Sequence, residues 1–357
     1  MTMSQEKSTS LVLNKNIVRG HILIICFFCM QLVFANQDNN SPSNDIQFNS
    51  FLKNASNMPR LYGVLVSLNG EIILEDYFQG SHRDKLVNIK SASKSVISAL
   101  IGIAIQHGYI QGVDVPIKDY FGELAIDNFD EEKNNITIAD LLTMQSGLRP
   151  TSNRNYGAWV LSNDWVNFAL SQPMEASPGT IMRYSTGNTH LLSAILTRAT
   201  GKSTLEFARE YLGDSLGFNL APWPTDPQGI YFGGNDMEMT ARQMLQFGEL
   251  YINGGQREEE QILSEDWVTL SLKRHAISTR ERGRYYGYGW WLKKMAGYDV
   301  KYAWGYGGQY IILVPELDLV IVTTSISTPH QDRRSHRRAL TNIIENDIIQ
   351  TVSDSLQ

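Results

Sequence analysis

The stretch 91–105 constrains the fold more than any other part of the chain. Its only polar side chains are Ser91, Ser93, Lys94, Ser95 and Ser98. Four of these, Ser91, Lys94, Ser95 and Ser98, fall at i, i+3, i+4 and i+7, one narrow helical stripe, and the rest is almost entirely aliphatic. A helix that is apolar nearly all round has to be buried, so the remaining elements must be wrapped about it. A serine at its start sits where the helix dipole favours developing negative charge, with a lysine one turn on to take its proton. The spacing alone is weak, since Ser-x-x-Lys also occurs at Ser4/Lys7 and Ser50/Lys53. The bland alternative is an N-capping serine and a lysine snorkelling from a core helix. Only the third copy opens a long apolar helix.

The 357 residues, 42% hydrophobic and 19% charged, suit one large domain or two medium ones. Lys7, Lys15 and Arg19 precede an apolar run, 22–33, that ends in Val33-Phe34-Ala35. Residues 1–35 are therefore expected to be an export signal cleaved after Ala35, leaving a periplasmic or secreted protein with no membrane span. An uncleaved anchor is the alternative. Both cysteines, Cys26 and Cys29, lie in that run, so no disulfide, thiol nucleophile or thiolate metal site is expected in the mature chain. Loss of residues 1–35 removes three basic groups and one acid, taking the formal charge from −6 to −8. That balance argues against nucleic acid as a partner. The cluster Arg333-Arg334-Ser335-His336-Arg337-Arg338 is a local exception and reads as a solvated helix face. Oligomeric state has no readable signal.

Residues 36–49 are polar and read as a linker, with the folded domain at 50–355. Two β runs, Leu61–Leu68 and 71–78, joined by Asn69-Gly70, predict a hairpin. Helical patterns follow at 139–144, 163–170, 190–199, 205–212 and 240–252, then strand patterns at 286–292, Gln309–Val314 and Leu319–Ser325, and a last helix over 334–352. The expected class is α/β (α+β): one antiparallel sheet built from both chain ends (50–108 and 280–355) and flanked by helices. A helical lobe, 109–279, would face it across a cleft.

Two further segments could carry chemistry. Tyr184 lies in a Gly/Ser/Thr-rich loop ahead of a helix, where a nearby Lys94 would lower its pKa and make it a general base; a packing aromatic is the alternative. The run Ala303-Trp304-Gly305-Tyr306-Gly307-Gly308-Gln309 leads glycines into a strand, which lets a substrate backbone approach and exposes N–H groups. Trp304, Gly305 and Gly307 are candidate substrate contacts. The Tyr306 N–H, with that of Ser91, is a candidate oxyanion hole, against a plain hairpin loop. Trp290, Trp291, Trp304, Tyr306 and Tyr310 suit either an apolar pocket or the core. His82, His107, His190, His275, His330 and His336 show no metal-ligand spacing, and no metal or organic cofactor is implied. His190, beside Leu191, Leu192 and Ile195, reads as a core histidine, and Asp236 as a turn residue.

The Ser-x-x-Lys helix, the Tyr184 loop and the late glycine-rich segment, in that order, resemble the penicillin-recognising serine hydrolases. The likeness is greatest to the class C β-lactamase-like branch, which also holds esterases, DD-peptidases and 6-aminohexanoate-dimer hydrolases. Thr137-Ile138-Ala139-Asp140-Leu141-Leu142-Thr143-Met144-Gln145-Ser146-Gly147-Leu148 is similar to that branch's LLTMxSGL segment. Pro178-Gly179-Thr180, and Gly307-Gly308-Gln309 ahead of Pro315-Glu316-Leu317-Asp318, fit as well, so the likeness spans about residues 50–350. It implies a β-lactamase/transpeptidase-like fold with Ser91 as acylated nucleophile and Lys94 helping to deprotonate it. Tyr184 would be general base and leaving-group acid. The chain departs from the pattern twice. Thr186 stands where β-lactamases carry the Asn of Tyr-x-Asn, and Tyr302 or Ala303 stands where a cation precedes the late glycine. Those losses count against a strong β-lactamase or carboxypeptidase, and favour an exported esterase or amidase acting on small, less anionic substrates. A weakly catalytic binding scaffold, or a true β-lactamase or DD-peptidase, is the rival reading.

Overall fold

The computed structural model describes residues 46–122 and 131–357. The expected signal segment lies outside them, as does all but the end of the expected linker. Eight strands form one sheet: β1 (Leu61–Leu68), β2 (Glu71–Tyr77), β3 (Ala276–Ile277), β4 (Tyr285–Tyr286), β5 (Trp291–Met295), β6 (Tyr298–Gly305), β7 (Gln309–Val314) and β8 (Leu319–Ser325). Their order is β2-β1-β8-β7-β6-β5-β4-β3, antiparallel throughout. The N-terminal hairpin thus lies against the last strand, with Val64 opposite Thr323, and the sheet is built from both chain ends as the sequence pattern predicts. Asn69 and Gly70 turn the hairpin with φ of 53° and 77°, the doubly left-handed geometry for which Asn-Gly is selected.

Inward and outward residues alternate along the central strands. Leu65, Ile311, Leu313, Val320 and Val322 pack with α2 (Ser93–Gln106), α4 (Thr186–Thr200) and α5 (Ala241–Ile252). Val64, Val66, Ile312, Val314 and Ile321 pack on the other face with α1 (Asn49–Ser56) and α6 (Arg333–Ile343). The short helix α3 (Ile138–Leu142) starts on a capping box made by Thr137 and Asp140. Helix α2 is buried from Ser93 to Ala104. At Gly102 the Trp267 indole occupies the space a β-carbon would need, with ring atoms 2.4–2.5 Å from that position.

Several boundaries differ from the sequence reading. No signal announced α1, which anchors Phe51 in the outer core. The predicted helix 205–212 is Thr204–Ala208 followed by a wider π-turn over Arg209–Gly213. The predicted strand 286–292 divides into β4 and β5, because Gly289, at φ 80°, brings the chain against α2. Its carbonyl accepts a bond from Ser95 Oγ at 2.7 Å, and a β-carbon there would lie 2.8 Å from the Lys94 carbonyl oxygen. Strand β6 was not foreseen: Trp304 and Gly305 belong to it, and only the following residues, with Gly307 and Gly308 at φ 97° and 112°, form a loop.

Candidate active site

Ser91 sits in a single 3-10 turn, Lys90–Ala92, that runs into α2. The turn begins on a left-handed residue, Lys90, at φ 52°, a conformation costly for a side chain with a β-carbon. Asn88 and Asp236 hold it there. The Lys90 N–H donates to Asn88 Oδ1 at 2.9 Å, Asn88 Nδ2 donates to Asp236 Oδ1 at 2.7 Å, and Lys90 Nζ pairs with the same oxygen at 3.0 Å. Ser91 is partly exposed, while Lys94, one turn on, is 1% exposed.

Lys94 Nζ lies 3.4 Å from Ser91 Oγ, 3.4 Å from Thr186 Oγ1 and 2.5 Å from the Gly234 carbonyl oxygen. Burial brings its pKa down to about 7, and Asp236 works weakly in the opposite direction. At neutral pH a large share of this lysine is an uncharged amine.

Tyr184 enters from the loop before α4. Its ring stacks on Trp291 at 5.5 Å between centroids, and Lys94 Nζ is 5.3 Å from its centre. Burial pushes its phenol up to about 12, with the Ser91 hydroxyl, Arg280 and Arg284 pulling the other way. The expectation that Lys94 would depress this phenol is therefore corrected. Desolvation outweighs the stabilising contacts, and a lysine that titrates near 7 carries too little charge above that pH to stabilise a phenolate.

Thr186 stands beside the lysine rather than in an open cleft. It is 5% exposed, its hydroxyl lies 3.0 Å from Ser152 Oγ, and its N–H donates to the same atom at 2.9 Å. The sequence reading missed Gly234 and undervalued Asp236. A β-carbon on Gly234 would lie 2.8 Å from Lys94 Nζ and 2.2 Å from Thr189 Oγ1. Its loop is pinned from behind by His190, which is fully buried, pairs through Nε2 with Asp226 at 2.9 Å and accepts the Gly233 N–H at Nδ1. Asn235 is tied to the Tyr156 hydroxyl at 2.8 Å. His190 is thus a satisfied core histidine, as read from its neighbours. The run Gly233-Gly234-Asn235-Asp236 was the one available signal.

Strand β6 borders the site. It pairs with β7 as far as Gly305–Gln309 but with β5 only as far as Tyr302–Trp291, so residues 303–305 have an open outer edge. A β-carbon on Gly305 would lie 2.0 Å from the Ile89 carbonyl oxygen, which puts this edge against the turn that carries Ser91. Neither the Ser91 nor the Tyr306 N–H has a protein acceptor among the described residues. Trp304 projects to the opposite sheet face, with Tyr302 and Tyr310 and with Arg337 5.4 Å from its ring centre. A β-carbon on Gly307 would meet the Ile326 carbonyl oxygen at 2.7 Å, on the side of the segment leading to α6. Of the three expected substrate contacts in this segment, Gly305 is the one placed beside Ser91. Trp290 and Tyr310 are core residues.

The family model described as beta-lactamase matches residues 57–344. The 6-aminohexanoate-dimer hydrolase of Paenarthrobacter ureafaciens is 27% identical over 296 residues, which span 76% of this chain and 73% of that protein. Among solved structures, EstCE1, a hydrolase with promiscuous acyltransferase activity, superposes with a TM-score of 0.66 at 18% identity, covering 82% of this chain and 97% of its own. A penicillin-binding protein from Bacillus halodurans gives a TM-score of 0.63 at 19% identity, covering 82% and 99%.

Proposed function

The chain belongs to the beta-lactamase family, and from that premise we propose that it hydrolyses an ester or amide bond through an acyl-enzyme on Ser91. One observation carries the reading: an amine that titrates near 7 stands 3.4 Å from the Ser91 hydroxyl, while the neighbouring phenol keeps its proton. An uncharged Lys94 has two N–H groups and one lone pair. The N–H groups have acceptors in Gly234 O and Thr186 Oγ1, which leaves the lone pair for the Ser91 proton.

Ser91 Oγ then attacks the substrate carbonyl as Lys94 takes its proton. The N–H groups of Ser91 and Tyr306 receive the developing oxyanion. Collapse breaks the bond to the alcohol or amine, which leaves with the Tyr184 proton, and Lys94 returns its own proton to Tyr184. A water molecule attacks the acyl carbon next and gives one proton to the same pair; the bond to Ser91 Oγ then breaks, that oxygen takes the proton back, and the acid is released. Every group ends as it began. The open edge of 303–305 offers backbone donors and acceptors along which an amide substrate can lie.

No cation occupies the positions just ahead of Gly305, which favours small esters and amides over penicillins. A linear amide of the kind in the name of the Paenarthrobacter relative is the first natural-type substrate to try. The basic and apolar pattern of residues 1–35 supports export; the N-terminal mass of protein recovered outside the cytoplasm tests that. For the chemistry, wild type and Ser91→Ala are treated with a fluorophosphonate and with p-nitrophenyl acetate. A single adduct on the wild type, absent from the variant together with turnover, is expected. Folded wild type that gives neither overturns the acyl-enzyme in favour of a binding scaffold.

A further inference from the structure

A groove of about 370 Å³ lies between α6 and the sheet, on the face away from α2. Its floor is aromatic: Tyr302, Trp304 and Tyr310. Its walls are basic. Arg334, Arg337 and Arg338, at i, i+3 and i+4, line one side from α6, and Lys293 and Arg284 close the other. Arg334, Arg337 and Arg338 are exposed, as the reading of a solvated helix face expects, and they also border this groove.

The charges in this groove do not balance. Of its two carboxylates, Glu281 pairs with Arg284 at 2.9 Å, and Glu345 accepts the Ala296 N–H at 2.8 Å. Among the described residues, Lys293, Arg334, Arg337 and Arg338 are within ion-pair distance of no carboxylate. Five basic side chains, Arg284, Lys293, Arg334, Arg337 and Arg338, against two carboxylates over a flat apolar floor describe a site for an anion with a planar body.

We propose that this groove binds a small organic carboxylate, whose body lies on Tyr302, Trp304 and Tyr310 while its oxygens take the guanidinium groups of α6. Planar guanidinium forks match a carboxylate with two parallel bonds. The aromatic floor supplies the contact area that inorganic phosphate lacks, and the volume suits a ligand of roughly ten to twenty heavy atoms. The groove does not open on Ser91, though it borders the aromatic shell of that centre through Trp304, which meets Trp291 edge-on at 6.4 Å, and its proposal does not rest on the acyl-enzyme reading. Alternation along β6 puts Trp304 on one face, and Ala303, packed with the α2 core, on the other.

The test is a titration of the full chain with 2-naphthoate and its neutral counterpart 2-naphthamide, read by tryptophan fluorescence and calorimetry. The acid should bind at least tenfold more tightly than the amide, and equally well to Ser91→Ala. Inorganic phosphate should compete only weakly. Arg337→Gln/Arg338→Gln should weaken the acid at least tenfold and leave the amide, the melting temperature and p-nitrophenyl acetate turnover at wild-type values. Equal affinity for acid and amide overturns the proposal. So does undiminished binding to a folded double variant, displacement by phosphate as strong as by the acid itself, or loss of binding in Ser91→Ala.

Discussion

Lys94 Nζ is nearer to the Gly234 carbonyl oxygen, at 2.5 Å, than to Ser91 Oγ, at 3.4 Å. The lysine is thus held by a backbone atom rather than by the serine it would deprotonate under the proposed mechanism. A carbonyl fixed in a loop does not rotate away, so the amine keeps its direction as the serine moves through the reaction. The loop in turn rests on the buried His190–Asp226 pair. A chain of fixed contacts runs from a core histidine to the lysine proposed to remove the serine proton.

The titration of Lys94 sets the expected pH dependence. Ester kcat/KM should rise with a single proton lost near pH 7 and stay level into alkaline solution, since the phenol titrates only near 12. Lys94→Arg, which cannot deprotonate, should lose about 10²–10⁴ in rate. The unfolded lysine keeps its proton to about 10.5, so between pH 7 and 10.5 the unfolded chain holds more protons and stability rises with pH. A pH–rate profile with no limb near 7 would show that another group is the base.

Gly234→Ala should disable the site without unfolding the chain. Its β-carbon would sit 2.2 Å from Thr189 Oγ1 and 2.8 Å from Lys94 Nζ, so the loop must retreat and take its carbonyl with it. Misplacement of this order costs about 100-fold in rate. Wild-type kcat/KM in the variant would mean that this carbonyl does not orient the lysine.

Asn88→Ala removes the acceptor that holds Lys90 in its left-handed turn. We expect a loss of about 1 kcal/mol in stability from the missing bond and a larger fall in the rate of fluorophosphonate labelling, because Ser91 is the next residue. Adding Lys90→Gly, which adopts the turn without strain, should recover part of the labelling rate. No recovery would place the role of Asn88 elsewhere, in its contact with Asp236.

His336 is buried beside the β6–β7 hairpin, bonded to Ser325 Oγ at 3.1 Å. Burial and Arg60 lower its pKa to about 4, against a small opposing pull from Asp332. Between pH 6.5 and 4 the unfolded chain binds the extra proton, so the stability contributed by neutral His336 is lost as pH falls through that window. Melting temperature should drop more steeply there for the wild type than for His336→Gln. Parallel curves would sink the assignment.

What could be read from residue order was the part written in side-chain pattern. The Asn69-Gly70 hairpin, the all-apolar α2 and the strands β7 and β8 announce themselves by period and composition. Strand β6 did not, although Tyr298, Val300, Tyr302 and Trp304 alternate with Asp299 and Lys301, because the glycines that follow drew the segment toward a loop. Gly234 acts through a carbonyl, which every residue possesses, so no spacing could single it out. The direction of the Tyr184 shift comes from burial, to which Trp291, stacked on it, and Tyr286, edge-on to it, contribute from more than 100 residues away in sequence. The groove behind Trp304 was hidden likewise: its cations and its aromatic floor come from separate segments.

Strand β1 lies between β2, formed next in sequence, and β8, formed some 250 residues later. Until residues 319–325 arrive, one whole edge of an apolar strand has no partner. Closing so long a loop is slow compared with local structure, and a bare edge of this kind templates association with other chains. Helix α2 can form early, yet the sheet that frames it waits for almost the last strand. A chain stopped at Pro315 should accumulate as aggregate rather than as a smaller active protein, which makes completion of synthesis itself the gate on activity.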